Sequence, residues 1–135
     1  MKVAIVEDFR SIVEHMVRAA EEAGHMALGV HIGSPRDPKY MDGPDKIQCH
    51  TRNLDEAVAA VKAFEPDVVF IDHELELGND NTGAHFAQKL GMPREKYIGI
   101  SGSYAQSYCA KKMWGKDWIY EKGGEARKGF LALLS

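Results

Sequence analysis

Acidic and other polar side chains follow four separate hydrophobic runs in this 135-residue sequence, each at the point where the run ends. The polar residues at those four places are Glu7 with Asp8, then Asp72, then Ser101, and finally Glu121 with Lys122. Carboxylates are preferred ligands of Mg²⁺, and a hydroxyl or an ammonium group donates hydrogen bonds to phosphate oxygens. These residue types indicate chemistry on a phosphoryl group, provided that the fold brings them together.

The hydrophobic runs alternate with segments of helical periodicity, which predicts parallel strands joined by helices. The predicted strands are 2–6, 27–32, 67–72, 97–101 and 117–121, and the predicted helices are 9–23, 53–65, 83–90, 104–113 and 125–134. Parallel strands deliver their carboxyl ends to one edge of the sheet, where α/β proteins bind ligands. We therefore expect the acids, the hydroxyl and the ammonium group to converge there.

Two helix starts carry local signals. Asn53 precedes the second helix as an N-cap residue, and Ser11 with Glu14 forms a candidate capping box at the first. Taken alone, Asp8 is also well explained as a helix-entry cap, and Ser101 or Lys122 as an ordinary turn or surface residue. The joint pattern, rather than any single residue, favours a site.

Length and composition predict one compact domain over residues 1–135, because 44% of the residues are hydrophobic and can form a core.

The two cysteines, Cys49 and Cys109, form no CxxC pair, so we expect a reducing cytoplasm rather than a disulfide framework. No apolar stretch approaches the length of a transmembrane helix, so we expect no membrane partner. The net charge of -3, without a basic stripe, argues against direct nucleic-acid binding.

The sequence resembles the receiver domain of two-component response regulators, a CheY-like domain of the flavodoxin-like superfamily. In that family an acidic pair follows the first strand, a phosphate-accepting aspartate ends the third, a serine or threonine ends the fourth and a lysine ends the fifth. The residues at those places here are Glu7 and Asp8, Asp72, Ser101 and Lys122. The resemblance covers nearly the whole chain and implies an α/β fold, a (βα)5 three-layer sandwich with parallel strand order 2-1-3-4-5.

The resemblance also implies roles for these residues. Asp72 would accept the phosphoryl group, with Lys122 and Ser101 contacting its oxygens. Mg²⁺ would be held by the side chains of Glu7, Asp8 and Asp72 and by the backbone carbonyl of Glu74. Two unit charges about 4 Å apart repel by roughly 4 kcal/mol at an intermediate effective dielectric, so a cation is needed between carboxylate and phosphate.

The function that this resemblance implies is phosphorylation-dependent signalling. The phosphoryl group would come from a sensor histidine kinase or a phosphotransfer protein, and the output would be binding to a downstream protein target or relay of the group. A homodimer through the last helix-strand-helix face is a further expected partner. The last predicted helix ends beside Ser135, which indicates an atypical single-domain receiver that is not an enzyme beyond its own phosphorylation and dephosphorylation.

The sequence departs from the family between Asp8 and Asp72, where it is longer by roughly 20 residues, and long loops in compact domains tend to be functional or disordered. The extra residues form a Pro- and Gly-rich insertion at about 33–47, between the second strand and the second helix. Segments 28–31 and 48–51 could both be extended, as a hairpin or a lengthened edge strand. Gly123 also stands where the family has a proline after the lysine.

Three alternatives remain open. The chain could be a pseudo-receiver that is not phosphorylated and binds other proteins through the insertion. A flavodoxin-like phosphatase or nucleotide binder is a second, but no Gly-rich loop follows the first strand, where Asp8-Phe9-Arg10 stands instead. A zinc site at His31, Cys49 and His50 is a third, although these residues lack the usual spacing.

Overall fold

The computed structural model describes residues 1–39, 43–72, 75, 83–101, 116–119 and 130–134. The strands in these ranges are β1 (Lys2–Glu7), β2 (Met26–Ile32), β3 (Cys49–Thr51), β4 (Val68–Asp72), β5 (Tyr97–Ser101) and β6 (Lys116–Ile119). The helices are α1 (Arg10–Glu22), α2 (Leu54–Phe64) and α3 (Gly83–Leu90), with a 3-10 turn at Arg94–Lys96 and a helical segment at 130–134. The predicted helix 104–113 lies outside the described residues.

The six strands form one sheet in the order β3-β2-β1-β4-β5-β6, and every neighbouring pair is parallel. The order β2-β1-β4-β5-β6 within it confirms the predicted order of five strands. β1 lies between β2 and β4, with Val3 opposite Ala27 on one side and Val68 on the other. The carboxyl ends of β1 and β4 are therefore adjacent near the middle of the sheet.

The insertion ends in an extra edge strand. The prediction of extended structure in both segments is confirmed, but the hairpin between them is wrong. β3 runs parallel to β2, with Val30 opposite Cys49 and Ile32 opposite Thr51. A parallel neighbour cannot be reached by a tight turn, because the chain must first return to the other end of the sheet. The insertion makes this return along α1, where Lys46 pairs with Glu21 at 3.3 Å.

Hydrophobic residues cover both faces of the sheet, as the predicted three-layer sandwich requires. One buried cluster joins the sheet to α2 and α3, and its helical members include Val61 and Phe86. The other joins the opposite face to α1 and to the segment 130–134, through residues such as Met16 and Phe130. No helix in the described part of the chain is both long and apolar enough to cross a bilayer.

The two helix starts with predicted caps differ. Asn53 caps α2 as predicted, since its side chain accepts a hydrogen bond from the Glu56 amide at 3.0 Å. The predicted capping box at Ser11 and Glu14 is wrong, because α1 begins at Arg10 with Phe9 in the N-cap position, and Phe9 makes no side-chain cap. Glu14 is instead buried within the helix face.

Gly29 lets α1 approach the sheet closely. A Cβ atom built there would lie 2.9 Å from Val13 Cγ1, 2.9 Å from Val17 Cγ2 and 3.5 Å from the Cα atom of Ile47. Any larger residue would push α1 or the end of the insertion away from β2. This glycine therefore sets the distance between helix and sheet.

We expect Gly29→Ala to destabilise the protein by about 1–3 kcal/mol, the usual cost of overpacking a core. The measurement is the free energy of unfolding from urea titration, followed by circular dichroism. Met26→Ala at the exposed start of the same strand is the matched control, with an expected change within about 0.5 kcal/mol. Equal stability of Gly29→Ala and the unmodified protein would show that α1 is not held at this distance.

Candidate metal centre

Three carboxyl groups meet at the carboxyl edge of the sheet. Glu7 ends β1, Asp8 follows it, and Asp72 ends the neighbouring strand β4. The pairing of Val6 with Ile71 places the next residues of the two strands side by side. One carboxylate oxygen from each of the three acids lies within 4.8 Å of the others. The topology therefore brings together residues that are 64 positions apart in the sequence.

Glu7 is the most buried acid of the three, with 1% of its surface exposed. Its Oε1 atom accepts hydrogen bonds from the backbone amides of Asp8 at 3.0 Å and Phe9 at 3.1 Å. Burial raises the pKa of Glu7 well above 4.5, and the neighbouring side chains of Asp8 and Asp72 raise it further through hydrogen bonding and negative charge. The three groups thus resist carrying three negative charges together.

The donor set fits a hard divalent cation. All three side chains offer oxygen, which is the ligand type that Mg²⁺ and Ca²⁺ prefer. Asp8 Oδ1 is buried and has no hydrogen-bond partner among the described residues. Buried polar atoms are nearly always satisfied, so an unpartnered carboxylate oxygen within an acidic cluster suits the position of a cation ligand.

Gly83 at the start of α3 packs against the backbone of Asp72. A Cβ atom at this position would overlap the carbonyl oxygen of Asp72 and would lie 2.8 Å from Ile71 Cγ2. Only glycine allows this close approach of helix and strand. The start of α3 therefore fixes the end of β4, and with it the position from which the Asp72 side chain extends.

The other predicted site residues are described in part or not at all. Ser101 ends β5, the strand beside β4, so its backbone lies at the same edge of the sheet. The Ser101 side chain, Lys122 and Glu74 lie outside the described residues. The structure brings together Glu7, Asp8 and Asp72, and the roles of all six residues stay predictions.

A second polar cluster beside the acids was missed by the reasoning from sequence. Arg10 and Glu14 are buried and paired at 3.0 Å, and Arg10 also pairs with Asp45 of the insertion at 3.1 Å. His31 and His50 contact each other through their Nδ1 atoms at 2.9 Å. The available signal was that Arg10 and Glu14 share the apolar stripe of α1 with Val13 and Val17.

The predicted zinc cluster is not assembled as a triad. His31 and His50 face the α1 side of the sheet, whereas Cys49 packs against the hydrophobic cluster on the other side. Successive residues of a strand point to opposite faces, so Cys49 and His50 cannot share a ligand position. The two histidines belong to the polar cluster with Arg10 and Asp45.

We expect Glu7→Gln to stabilise the metal-free protein at neutral and alkaline pH. The folded-state pKa of Glu7 is raised, so folding favours the protonated form and ionisation of the buried group costs stability as pH rises above 4.5. Glutamine keeps the oxygen that accepts the Asp8 and Phe9 amides but carries no charge. The measurement is unfolding by urea in EDTA at pH 4 and at pH 8.

The stabilisation should be present at pH 8 and should vanish near pH 4, where Glu7 is protonated in both states. Glu65→Gln is the control for loss of one negative charge. Glu65 is the C-cap residue of α2. A gain in stability that is the same at both pH values would contradict the raised pKa of Glu7 in the folded protein.

The sequence comparisons identify no relative, since no family model and no curated protein matches the chain. The comparison of folds does give matches. A CheY-like response regulator receiver domain protein from Methanospirillum hungatei superposes with a TM-score of 0.64 at 14% identity, over 99% of this chain and 90% of that one.

Two further receiver domains give TM-scores close to this value. The BeF3-activated N-terminal receiver domain of RstA from Klebsiella pneumoniae gives a TM-score of 0.63 at 12% identity, over 98% of this chain and 97% of that one. The signal receiver domain of a modulated diguanylate cyclase from Desulfovibrio desulfuricans gives 0.58 at 18% identity, over 98% and 90%. The chain therefore has the flavodoxin-like fold of response regulator receiver domains, as the resemblance in the sequence implied.

Proposed function

We propose that this protein is a phosphoacceptor receiver of a two-component phosphorelay, with Asp72 as the accepting residue. The observation that supports this most strongly is the convergence of Glu7, Asp8 and Asp72 within 4.8 Å at the carboxyl edge of a parallel sheet. That edge is where α/β proteins bind ligands. The same fold in known receiver domains adds support, although identities of 12–18% speak for the fold alone.

Mg²⁺ is the ion we assign to this cluster, held by the side chains of Glu7, Asp8 and Asp72 and by the backbone carbonyl of Glu74. When bound, the ion offsets the negative charge between a carboxylate and an incoming phosphoryl group. The buried, unpartnered Asp8 Oδ1 supports the assignment. The RstA receiver domain with the same fold is a BeF3-activated one, which fits the same chemistry.

In the proposed reaction an oxygen of the Asp72 carboxylate forms a bond to phosphorus while the bond from phosphorus to the donor breaks. With a phosphohistidine donor, the imidazole leaves and takes up a proton. Carboxylates form covalent intermediates of this kind in other phosphate-transfer proteins. Ser101 donates a hydrogen bond to the transferred group, and Lys122 pairs with one of its oxygens. Glu7 and Asp8 keep the nucleophile oriented through the shared cluster.

The donor we propose is a sensor histidine kinase or a phosphotransfer protein, and the setting is the cytoplasm. Phosphorylation would then change binding to a downstream protein target, or the group would be relayed onward. The protein would catalyse no reaction other than its own phosphorylation and dephosphorylation. A homodimer through the last helix-strand-helix face belongs to the same proposal and depends on residues mostly outside the described ranges.

A pseudo-receiver is the second candidate, and the hydrogen bonds that attach the insertion to α1 favour it. Arg10 Nη1 bonds the carbonyl oxygens of Pro35 at 2.9 Å and Asp37 at 2.7 Å, so this segment is built into the fold. A fixed surface segment suits recognition of another protein. Phosphorylation of Asp72 would decide between the two candidates.

We expect the purified protein to gain the mass of one phosphoryl group when it is incubated with Mg²⁺ and acetyl phosphate. Asp72→Asn should show no adduct, because an amide oxygen is not nucleophilic enough. The matched control is Asp67→Asn, which changes the acid directly before β4, where Asp67 accepts a hydrogen bond from the Lys2 amide. No adduct on the unmodified protein would favour the pseudo-receiver. An adduct on Asp72→Asn would show that a residue other than Asp72 accepts the group.

We expect Asp8→Ala to weaken Mg²⁺ binding by about tenfold or more, since loss of one charged ligand lowers the affinity of a carboxylate site. Isothermal titration calorimetry with MgCl₂ measures this directly. The variant should stay folded by circular dichroism, because Asp8 is only partly buried. Unchanged Mg²⁺ affinity would show that Asp8 is not a ligand.

A further inference from the structure

The polar cluster described above connects the insertion to the acidic site. Arg10 lies two residues after Asp8, at the first position of α1. Its guanidinium group bonds Glu14 Oε1 through Nε, the Pro35 and Asp37 carbonyls through Nη1, and Asp45 Oδ2 through Nη2 at 3.1 Å. A single side chain thus holds both ends of the insertion against the turn that carries Asp8.

A second path runs through the two histidines. Asp45 Oδ2 also contacts His50 Nε2 at 2.8 Å, and His50 Nδ1 contacts His31 Nδ1 at 2.9 Å. His31 is fully buried and lies opposite Glu7 in the pairing of β2 with β1. Its Nε2 atom lies 3.3 Å from Asp37 Oδ2 but makes no hydrogen bond among the described residues. The backbone of Asp8 is a second polar neighbour of the His31 ring.

The hydrogen-bond partners of His31 and His50 indicate which ring nitrogens carry protons. A carboxylate only accepts, so His50 Nε2 carries a proton toward Asp45. The contact between the two Nδ1 atoms needs one further proton, on one ring or the other. Burial lowers the pKa of His31, and the nearby His50 lowers it further, which favours a neutral His31. One proton on either Nδ1 atom is enough to complete the chain of contacts from Asp45 to β2.

Among the described residues, the turn after β1 has few other supports. Phe9 provides no side-chain cap for α1, and the first turn of α1 has no acidic residue to complement the helix dipole. Glu7 accepts the Asp8 and Phe9 amides, but Glu7 is itself a member of the strained acidic cluster. Within the described ranges, Arg10 and the histidines are therefore the contacts that connect this turn to the insertion.

We propose that Arg10, His31, His50 and Asp45 are positioning residues for the metal site, through which the insertion sets the geometry of Asp8 and the affinity for Mg²⁺. This inference rests on the proposed function, since it concerns the same ion. Outer-shell partners of metal ligands commonly contribute about 10- to 100-fold in affinity. Because coupling between sites is reciprocal, Mg²⁺ must also stabilise the insertion in its bound position.

His50→Val is the variant that tests the proposal, because it breaks the path from Asp45 to His31 without removing a negative charge. Valine retains a high strand propensity for β3. Simple charge effects predict unchanged or tighter Mg²⁺ binding when a histidine is removed. Positioning predicts the opposite sign, a Kd raised by about tenfold. Calorimetry with MgCl₂ on the full chain gives the Kd, and circular dichroism checks folding.

Glu95→Ala is the control for a surface substitution. Glu95 is exposed and precedes β5, so it lies near the amino ends of the strands, away from the acids. Its Kd should equal that of the unmodified protein. Limited trypsin digestion supplies a second measurement, because Arg36, Lys39 and Lys46 place cleavage sites in the insertion. Mg²⁺ should slow cleavage there in the unmodified protein, and should slow it much less in His50→Val.

The outcomes separate the two proposals. If the unmodified protein binds Mg²⁺ and His50→Val binds it equally well, with the same protection from trypsin, the positioning role is wrong and the metal site stands. If the unmodified protein binds no Mg²⁺, the metal site is wrong and the positioning role falls with it. Weaker binding together with lost protection in a folded His50→Val supports the positioning role.

Discussion

Repulsion among three carboxyl groups at the carboxyl edge of the sheet is the constraint around which this structure is arranged. Glu7 is almost completely buried, and its pKa is raised first by this burial and then by the neighbouring Asp8 and Asp72. Two such charges about 4 Å apart repel by roughly 4 kcal/mol at an intermediate dielectric. The proposed Mg²⁺ ion would offset this repulsion, and it would also offset the charge of an incoming phosphoryl group.

The acids are held from two sides. On the β4 side, Gly83 lets α3 begin directly against the carbonyl oxygen of Asp72. On the β1 side, Arg10 and the two histidines connect the turn at Asp8 to the insertion and to the extra edge strand β3. The insertion thereby becomes part of the support of the site, and the added strand gives it a fixed place in the sheet.

The fold and the convergence of the acids could be predicted from the sequence, because buried parallel strands read as short apolar runs and end at a common edge. The course of the insertion could not. β3 has three residues, too few for a periodic signal, and its parallel direction follows from the path of the chain along α1. The start of α1 was predicted with a capping box, but Glu14 faces inward because Arg10 needs a buried partner. The contributions of Lys122, Glu74 and the Ser101 side chain remain predictions from the resemblance.

The most direct test of the account is a crystal structure of the protein with Mg²⁺ and beryllium fluoride. The account predicts one Mg²⁺ ion at about 2.1 Å from carboxylate oxygens of Asp8 and Asp72. It also predicts beryllium fluoride bound to the Asp72 carboxylate. An ion bound elsewhere, or an Asp72 side chain that carries no adduct and points away from Asp8, would contradict it.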